Sequence, residues 1–194
     1  MIIMTPALKK LMDELKLTNA ETFYHALHVK NLTVKMIKKM NYLSITNYTP
    51  FETDCICKGA LLHDVGKLEI ENVILTKDVA LSDSDWINIK KHPAQGYAMI
   101  EDELTEDERE IIKNICLYHH ERLDGKGYVG LTDIPLYVQL VSVCDVFDAL
   151  CSDRVYKTGM PYDRAIDLME NGKAGYFDHG IIDCLKIVVS EFSE

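Results

Sequence analysis

No apolar run in this 194-residue chain approaches the roughly 18–20 residues that a membrane-crossing helix needs. The N-terminus, Met1-Ile2-Ile3-Met4-Thr5-Pro6, lacks the basic segment and apolar core of a signal peptide. A cytoplasmic protein with no membrane partner is therefore expected. Positive charge is also short: 21 Lys and Arg stand against 31 Asp and Glu, a net charge of −10. That excludes broad electrostatic binding to bulk nucleic acid, which requires a basic face. A small anionic substrate is not excluded, because bound cations can reverse the local field. The six cysteines include no pair with the two-residue gap of a zinc knuckle or redox motif; Cys55-Ile56-Cys57 is the nearest approach. Most lie among apolar neighbours and read as buried free thiols. There is no repeat, low-complexity tract or linker, and strand signals are weak, with Leu68–Leu75 the one candidate.

What is present reads as helix nearly throughout. Thr5-Pro6 opens a first helix, since proline is tolerated at the first helical position. Thr18-Asn19-Ala20-Glu21, Thr49-Pro50-Phe51-Glu52 and Thr105-Glu106-Asp107-Glu108 have the form of capping boxes. The second opens a helix ending at His63-Asp64, with Gly66 as its terminator. Ser82 caps a helix to Lys91, and Pro93 interrupts the pattern after His92. The stretch Glu121–Asp133, with Gly125, Gly127 and Gly130, is a loop. Asp133-Ile134-Pro135 starts an apolar helix to Leu150, Pro161 another to Glu170, and the last runs from about His179 to Phe192. The expectation is a single all-α domain of about nine helices. It comprises an N-terminal helix (1–17), a core (18–178) and a C-terminal helix (179–194), a length that suits one good-sized core.

Five of the seven histidines, His25, His63, His92, His119 and His120, join Asp64 and Asp145 as candidate metal ligands; His28 and His179 are the other two. Neutral imidazole and ionised carboxylate suit divalent first-row metals. A carboxylate can bridge two ions, which gives the adjacent pair His63-Asp64 its chemical logic. Two ions can hold a hydroxide and clamp the attacking and leaving oxygens of a phosphoryl displacement. Asp145 interrupts an apolar helix, where an unpaired carboxylate is costly. It needs a cation: a metal, or Arg154 or Lys157 in the following connector. Asp148, three residues on, shares nearly the same face as an orienting group or substrate contact. Glu21 lies one turn before His25 and reads either as a ligand or as the closing residue of its capping box. His28 shares that face and reads first as a packing residue. The pair His119-His120 reads either as two ligands or as a helix C-terminus favouring imidazolium.

Three stretches in order, His63-Asp64-Val65-Gly66-Lys67, His119-His120-Glu121-Arg122-Leu123-Asp124-Gly125-Lys126-Gly127-Tyr128 and Asp145-Val146-Phe147-Asp148-Ala149-Leu150, resemble the HD-GYP domain, a branch of the HD phosphohydrolases. The likeness runs from about Glu21 to Phe177. It implies an all-helical bacterial enzyme of second-messenger signalling that hydrolyses cyclic di-GMP to pGpG and often on to GMP, using iron or manganese. The expected reaction is in-line attack on phosphorus by a metal-bridging hydroxide. By position, the resemblance implies metal ligands at His25, His63, Asp64, His92, His119, His120 and Asp145, with Glu21 added in three-metal members. It places Lys67, Asp148, Arg154 and Lys157 at the substrate or in support of the site, with Gly127 and Tyr128 as further contacts. Val129 stands where the signature has proline, and His28 where arginine is frequent. No attached sensor domain is expected, and regulation is expected from a signalling partner or a homodimer. The rival readings are hydrolysis of another cyclic dinucleotide or nucleotide phosphate, and an idle dinucleotide-binding module.

Overall fold

The computed structural model describes residues 3–77, 79–153 and 158–192. Arg154 and Lys157 lie outside the described residues. The rest is helical, as expected, in the order α1 (Pro6–Thr18), α2 (Ala20–Tyr42), α3 (Pro50–Leu62), α4 (Asn72–Leu75), α5 (Asp83–Ile89), α6 (His92–Ile100), α7 (Glu106–Tyr118), α8 (Leu136–Cys151), α9 (Tyr162–Glu170) and α10 (His179–Ser190). Among the described residues α4 is a four-residue turn, which leaves nine longer helices.

The local chemistry explains most boundaries. Thr5 caps α1 through Leu8 N, and Pro6 follows at a position whose N–H needs no helical partner. The capping boxes of Thr49 with Glu52 and Thr105 with Glu108 both form. Ser82 caps α5, with Asp85 closing a further box.

Four expectations are corrected. Asn19, not Thr18, caps α2 by accepting from Thr22 N at 3.0 Å. It is the one residue between two helices, and its own N–H also closes α1 on Leu15 O. Glu21 is thereby moved to the second helical position. Gly66 does not terminate a helix; it sits inside a 3₁₀ turn, Val65–Glu69, that continues from α3. The candidate strand Leu68–Leu75 is the end of that turn followed by α4. A lone strand would have no neighbour for its backbone groups, and no strand occurs among the described residues. Pro93 does not interrupt a helix, since α6 begins at His92 and the proline occupies its first turn.

Two apolar clusters build the interior. One joins α2, α3, α7, α8, α9 and α10 through residues such as Val29, Met36, Ile56, Val141 and Leu185. The other joins α1, α2, α3, α6 and α7 through residues such as Leu8, Leu15, Leu62, Ile100 and Ile112. Each such side chain contributes about 1.5–3 kcal/mol when fully buried. Helices α2, α3 and α7 supply both clusters: Ala26 faces one and Val29 the other, as do Leu62 and Ala60, and Cys116 and Ile115. The seam between the clusters passes His25, His63 and His119. Packing therefore holds rigidly the side chains whose polarity would otherwise keep them out of the interior. All six cysteines are free and five are buried.

Candidate metal centre

The end of α3 supplies His63, and the 3₁₀ turn begins just after Asp64. The start of α6 supplies His92. The end of α7 supplies His119 at its C-cap and His120 just beyond, which resolves how neighbours in sequence can turn to one place. Helix α2 brings His25, and α8 brings Asp145. These seven fall into two adjoining groups, Asp64 with His92, His119 and His120, and His25 with His63 and Asp145. Within each group the donor atoms lie within 4.8 Å of one another.

Asp64 joins the groups. Its Oδ1 lies 3.2 Å from His92 Nε2, and its Oδ2 lies 3.5 Å from His63 Nε2. The imidazoles are aimed from behind. His63 Nδ1 meets Ala60 O at 2.8 Å, His92 Nδ1 meets Ile89 O at 2.7 Å, and His119 Nδ1 meets Cys116 O at 3.0 Å. A carbonyl only accepts, so each Nδ1 carries the proton and each Nε2 presents a lone pair inward. His25 is aimed by a carboxylate instead: Nδ1 lies 2.6 Å from Asp148 Oδ2, while Nε2 lies 2.9 Å from Asp145 Oδ1.

The donor set fits a cation. His92 Nε2 and His119 Nε2 lie 3.4 Å apart, although each ring already carries its proton on the far nitrogen. Two lone pairs facing one another at that distance need a positive charge between or beside them. His63 Nε2, Asp64 Oδ1 and His120 Nε2 are buried with no hydrogen-bond partner among the described residues. Orphaned polar atoms at one point call for an explanation, and an ion supplies one. Burial depresses the pKa of His63, places that of His119 well below the usual imidazole range and brings His120 down to about 3. These rings are neutral, the form that binds metal. For His25, burial acts downward, but Asp145 and Asp148 outweigh it and lift the group to about 9. Burial alone would raise Asp64 and Asp145. Lys67 and the imidazoles hold the first well below the carboxylate range, and His25 does the same for the second.

An HD domain family model matches residues 22–150, a span that contains all seven of these residues. The chain belongs to the HD domain family. HD-domain phosphodiesterases use divalent metals, and this HD domain carries His and Asp groups whose donor atoms could hold them. The chain is 37% identical over 154 residues to a Vibrio cholerae cyclic di-GMP phosphodiesterase, covering 76% of this chain and 31% of that protein. It is 34% identical to the Pseudomonas aeruginosa cyclic di-GMP phosphodiesterase PA4108, covering 84% and 38%. A Vibrio cholerae 3'3'-cGAMP-specific phosphodiesterase 3 is 30% identical, with 80% and 33% covered. The chain thus spans about a third of the length of these relatives. Among solved structures, Bd1817, a HDG"Y"P protein from Bdellovibrio bacteriovorus, superposes with a TM-score of 0.66 at 25% identity, covering 86% of this chain and 51% of that one. The resemblance to the HD-GYP branch is borne out.

The remaining expected residues are placed unevenly in this HD domain. Lys67 Nζ lies 2.6 Å from Asp64 Oδ2 and lines a pocket of about 510 Å³ with His92, His120 and Tyr128. Tyr128 stacks on His120 at 4.3 Å between ring centroids. Glu21 is exposed, lines the same pocket and belongs to neither ligand group. Asp148 is not a free substrate contact: Oδ2 accepts from His25, and Oδ1 accepts from Ser152 Oγ at 2.9 Å with His28 Nδ1 3.4 Å away. It positions His25. Gly127 packs against Glu121, where an added Cβ would lie 2.5 Å from its Cα.

Three contributors went unread in the sequence. Buried Glu121 accepts the backbone N–H groups of Val129, Gly130 and Leu131 at 2.8, 2.8 and 2.7 Å, winding the loop that carries Tyr128. Arg122 Nη1 donates to His119 O at 3.1 Å and to Ser142 Oγ at 2.6 Å. Ser142 Oγ itself reaches His119 O at 2.5 Å. The clue was position: both charged residues directly follow His119-His120.

Proposed function

We propose that the chain is a metal-dependent phosphodiesterase that opens cyclic di-GMP to pGpG, with further cleavage to GMP open to it. The observation that carries this is Asp64, one carboxylate reaching into both ligand groups beside a pocket large enough for a nucleotide. Iron is the proposed metal and manganese the alternative, held by Asp64, His92, His119 and His120 in one group and by His25, His63 and Asp145 in the other. Glu21, on the open side of His25, is proposed as a ligand to a third ion.

Bound divalent ions supply Lewis acidity: they lower the pKa of water at the centre and place positive charge against phosphate oxygens. The protein does the remainder. Its backbone carbonyls keep three imidazoles in the tautomer that faces inward. Lys67, now paired with Asp64, stands at the pocket mouth to offset charge as it grows on the phosphate. Tyr128 walls the pocket and excludes water. The oxygen of water bonds to phosphorus, the ester bond to the ribose 3' oxygen breaks, and the sugar oxygen takes up a proton.

One relative's specificity for 3'3'-cGAMP gives the second reading, another cyclic dinucleotide as substrate. A complete donor set weighs against an idle binding module. The test is anaerobic loading with iron or manganese, then a panel of cyclic dinucleotides and mononucleotides. Cyclic di-GMP turnover that Asp64→Ala abolishes, with lower metal content, is expected. Full activity in that variant, or turnover of mononucleotides alone, overturns the proposal.

A further inference from the structure

The junction of α2, α8, α9 and the end of α10 holds a second pocket of about 310 Å³. It is walled by three aromatic rings in a row. Tyr162 lies 5.4 Å from Phe147 and 6.3 Å from Phe192, between ring centroids. Tyr162 and Phe192 are exposed, although rings of that size usually bury themselves. Lys35 Nζ stands 3.8 Å over the Phe192 ring, which leaves a cation at the rim. The polar edge is made by Asn31, His28, Asp148 and Ser152.

This pocket is not remote from the metal centre. His28, Asp148 and Ser152 also line a smaller hollow that reaches His25, and Glu21 links that hollow to the pocket over His92 and His120. The three form one trough along α2, passing Glu21, His25, His28, Asn31 and Lys35. Those positions are separated by three or four residues, so they follow one face of the helix.

The geometry points to a seat for a purine base at the Tyr162–Phe192 end of this trough, holding the half of the dinucleotide farther from the scissile phosphate. Flat exposed rings suit a base through stacking. An amide and a hydroxyl at the polar edge suit its ring nitrogens and exocyclic groups, and Lys35 suits a phosphate on the same nucleotide. The inference rests on the phosphodiesterase reading and extends it to substrate selection.

The test uses Tyr162→Ala, Phe192→Ala and the conservative Tyr162→Phe. Neither aromatic residue belongs to the catalytic machinery. On manganese-loaded protein, each alanine variant should raise KM for cyclic di-GMP about tenfold, the size base stacking commonly carries. Expected kcat and bound metal stay within twofold of the parent, and Tyr162→Phe behaves as the parent. Calorimetry with GMP on EDTA-treated protein should show the same loss of affinity. An active parent whose KM neither alanine variant moves overturns the base seat and leaves the phosphodiesterase reading standing. A parent that cleaves no cyclic dinucleotide overturns that reading instead. GMP binding then decides the seat alone: weakening in the variants supports it, and equal affinity removes it.

Discussion

His25 Nδ1 lies 2.6 Å from Asp148 Oδ2, while the opposite nitrogen of the same ring faces Asp145. Asp148 thus fixes the direction of His25 from three residues along the helix that supplies Asp145. In Asp148→Asn the amide oxygen can still accept from Nδ1, but the charge that strengthens the imidazole as a donor is gone. Losing such a partner commonly costs 10–100-fold in metal affinity or activity. We expect weaker manganese binding in a metal titration, and a matching fall in kcat at subsaturating metal. An unchanged metal titration would show that Asp148 does not position His25.

Gly66 carries a second prediction. A Cβ at this position would lie 2.1 Å from His92 O and 2.5 Å from Gly96 N. Both are backbone atoms, so no side chain can swing aside. Gly66→Ala must push the 3₁₀ turn away from α6, separating Asp64 from His92. Overpacking commonly costs about 1–3 kcal/mol, and a backbone clash belongs at or above the top of that range. Urea denaturation should show the loss, and metal content should fall with it. Gly96→Ala, whose Cβ would be 2.9 Å from Gly66 N, should behave similarly but more mildly.

Much of this was legible before any coordinates. Thr49 with Glu52 and Thr105 with Glu108 announced two helices because a capping box is a local device, complete within four residues. The convergence of the histidines was legible because few other roles gather so many imidazoles with aspartates. Asn19 was missed because serving two helix ends at once depends on both helices. Gly66 was misread because its reason is α6, some thirty residues away in sequence. Glu121 was passed over because its partners are backbone N–H groups, which no side-chain pattern reveals. The Tyr162–Phe192 pocket draws on four helices, and neither Tyr162 nor Phe192 belongs to a motif.

Glu121 and Val129 make a third test, of how the loop bearing Tyr128 is held. Glu121→Ala releases three N–H groups that now donate to a carboxylate. Val129 and Gly130 are exposed, so water can take up the released donors, and at about 1.5–3 kcal/mol for a hydrogen bond to a charged group a loss of roughly 3 kcal/mol is expected. Val129→Pro restores the signature residue but deletes the donor to Glu121 Oε1. A hydrogen bond to a charged group contributes about 1.5–3 kcal/mol. Proline returns only about 0.4–1 kcal/mol through the unfolded chain. The variant should therefore be less stable by about 1–2 kcal/mol. A proline variant as stable as the parent would mean that the Val129 bond contributes nothing.

The wall over the larger pocket offers a pH test away from the metal ligands. Lys77 donates to Asp85, which also holds the start of α5 through Ser82. The Lys77 hydrogen bond, then those from Ser82, bring the Asp85 pKa down from 3.8 to about 2. A carboxyl depressed in the folded state adds stability that is fully present above its unfolded value. That stability is lost as pH falls toward the folded value. The window is therefore about pH 4 down to pH 2. Trp86, adjacent to Asp85 and the single tryptophan of the chain, reports on it. In the parent, its fluorescence should change across that window. Asp85→Asn carries no titrating carboxyl there, so its signal at pH 5 should already match the acid-side value of the parent. If both proteins give the same titration curve, the Lys77–Asp85 clasp does not hold this wall.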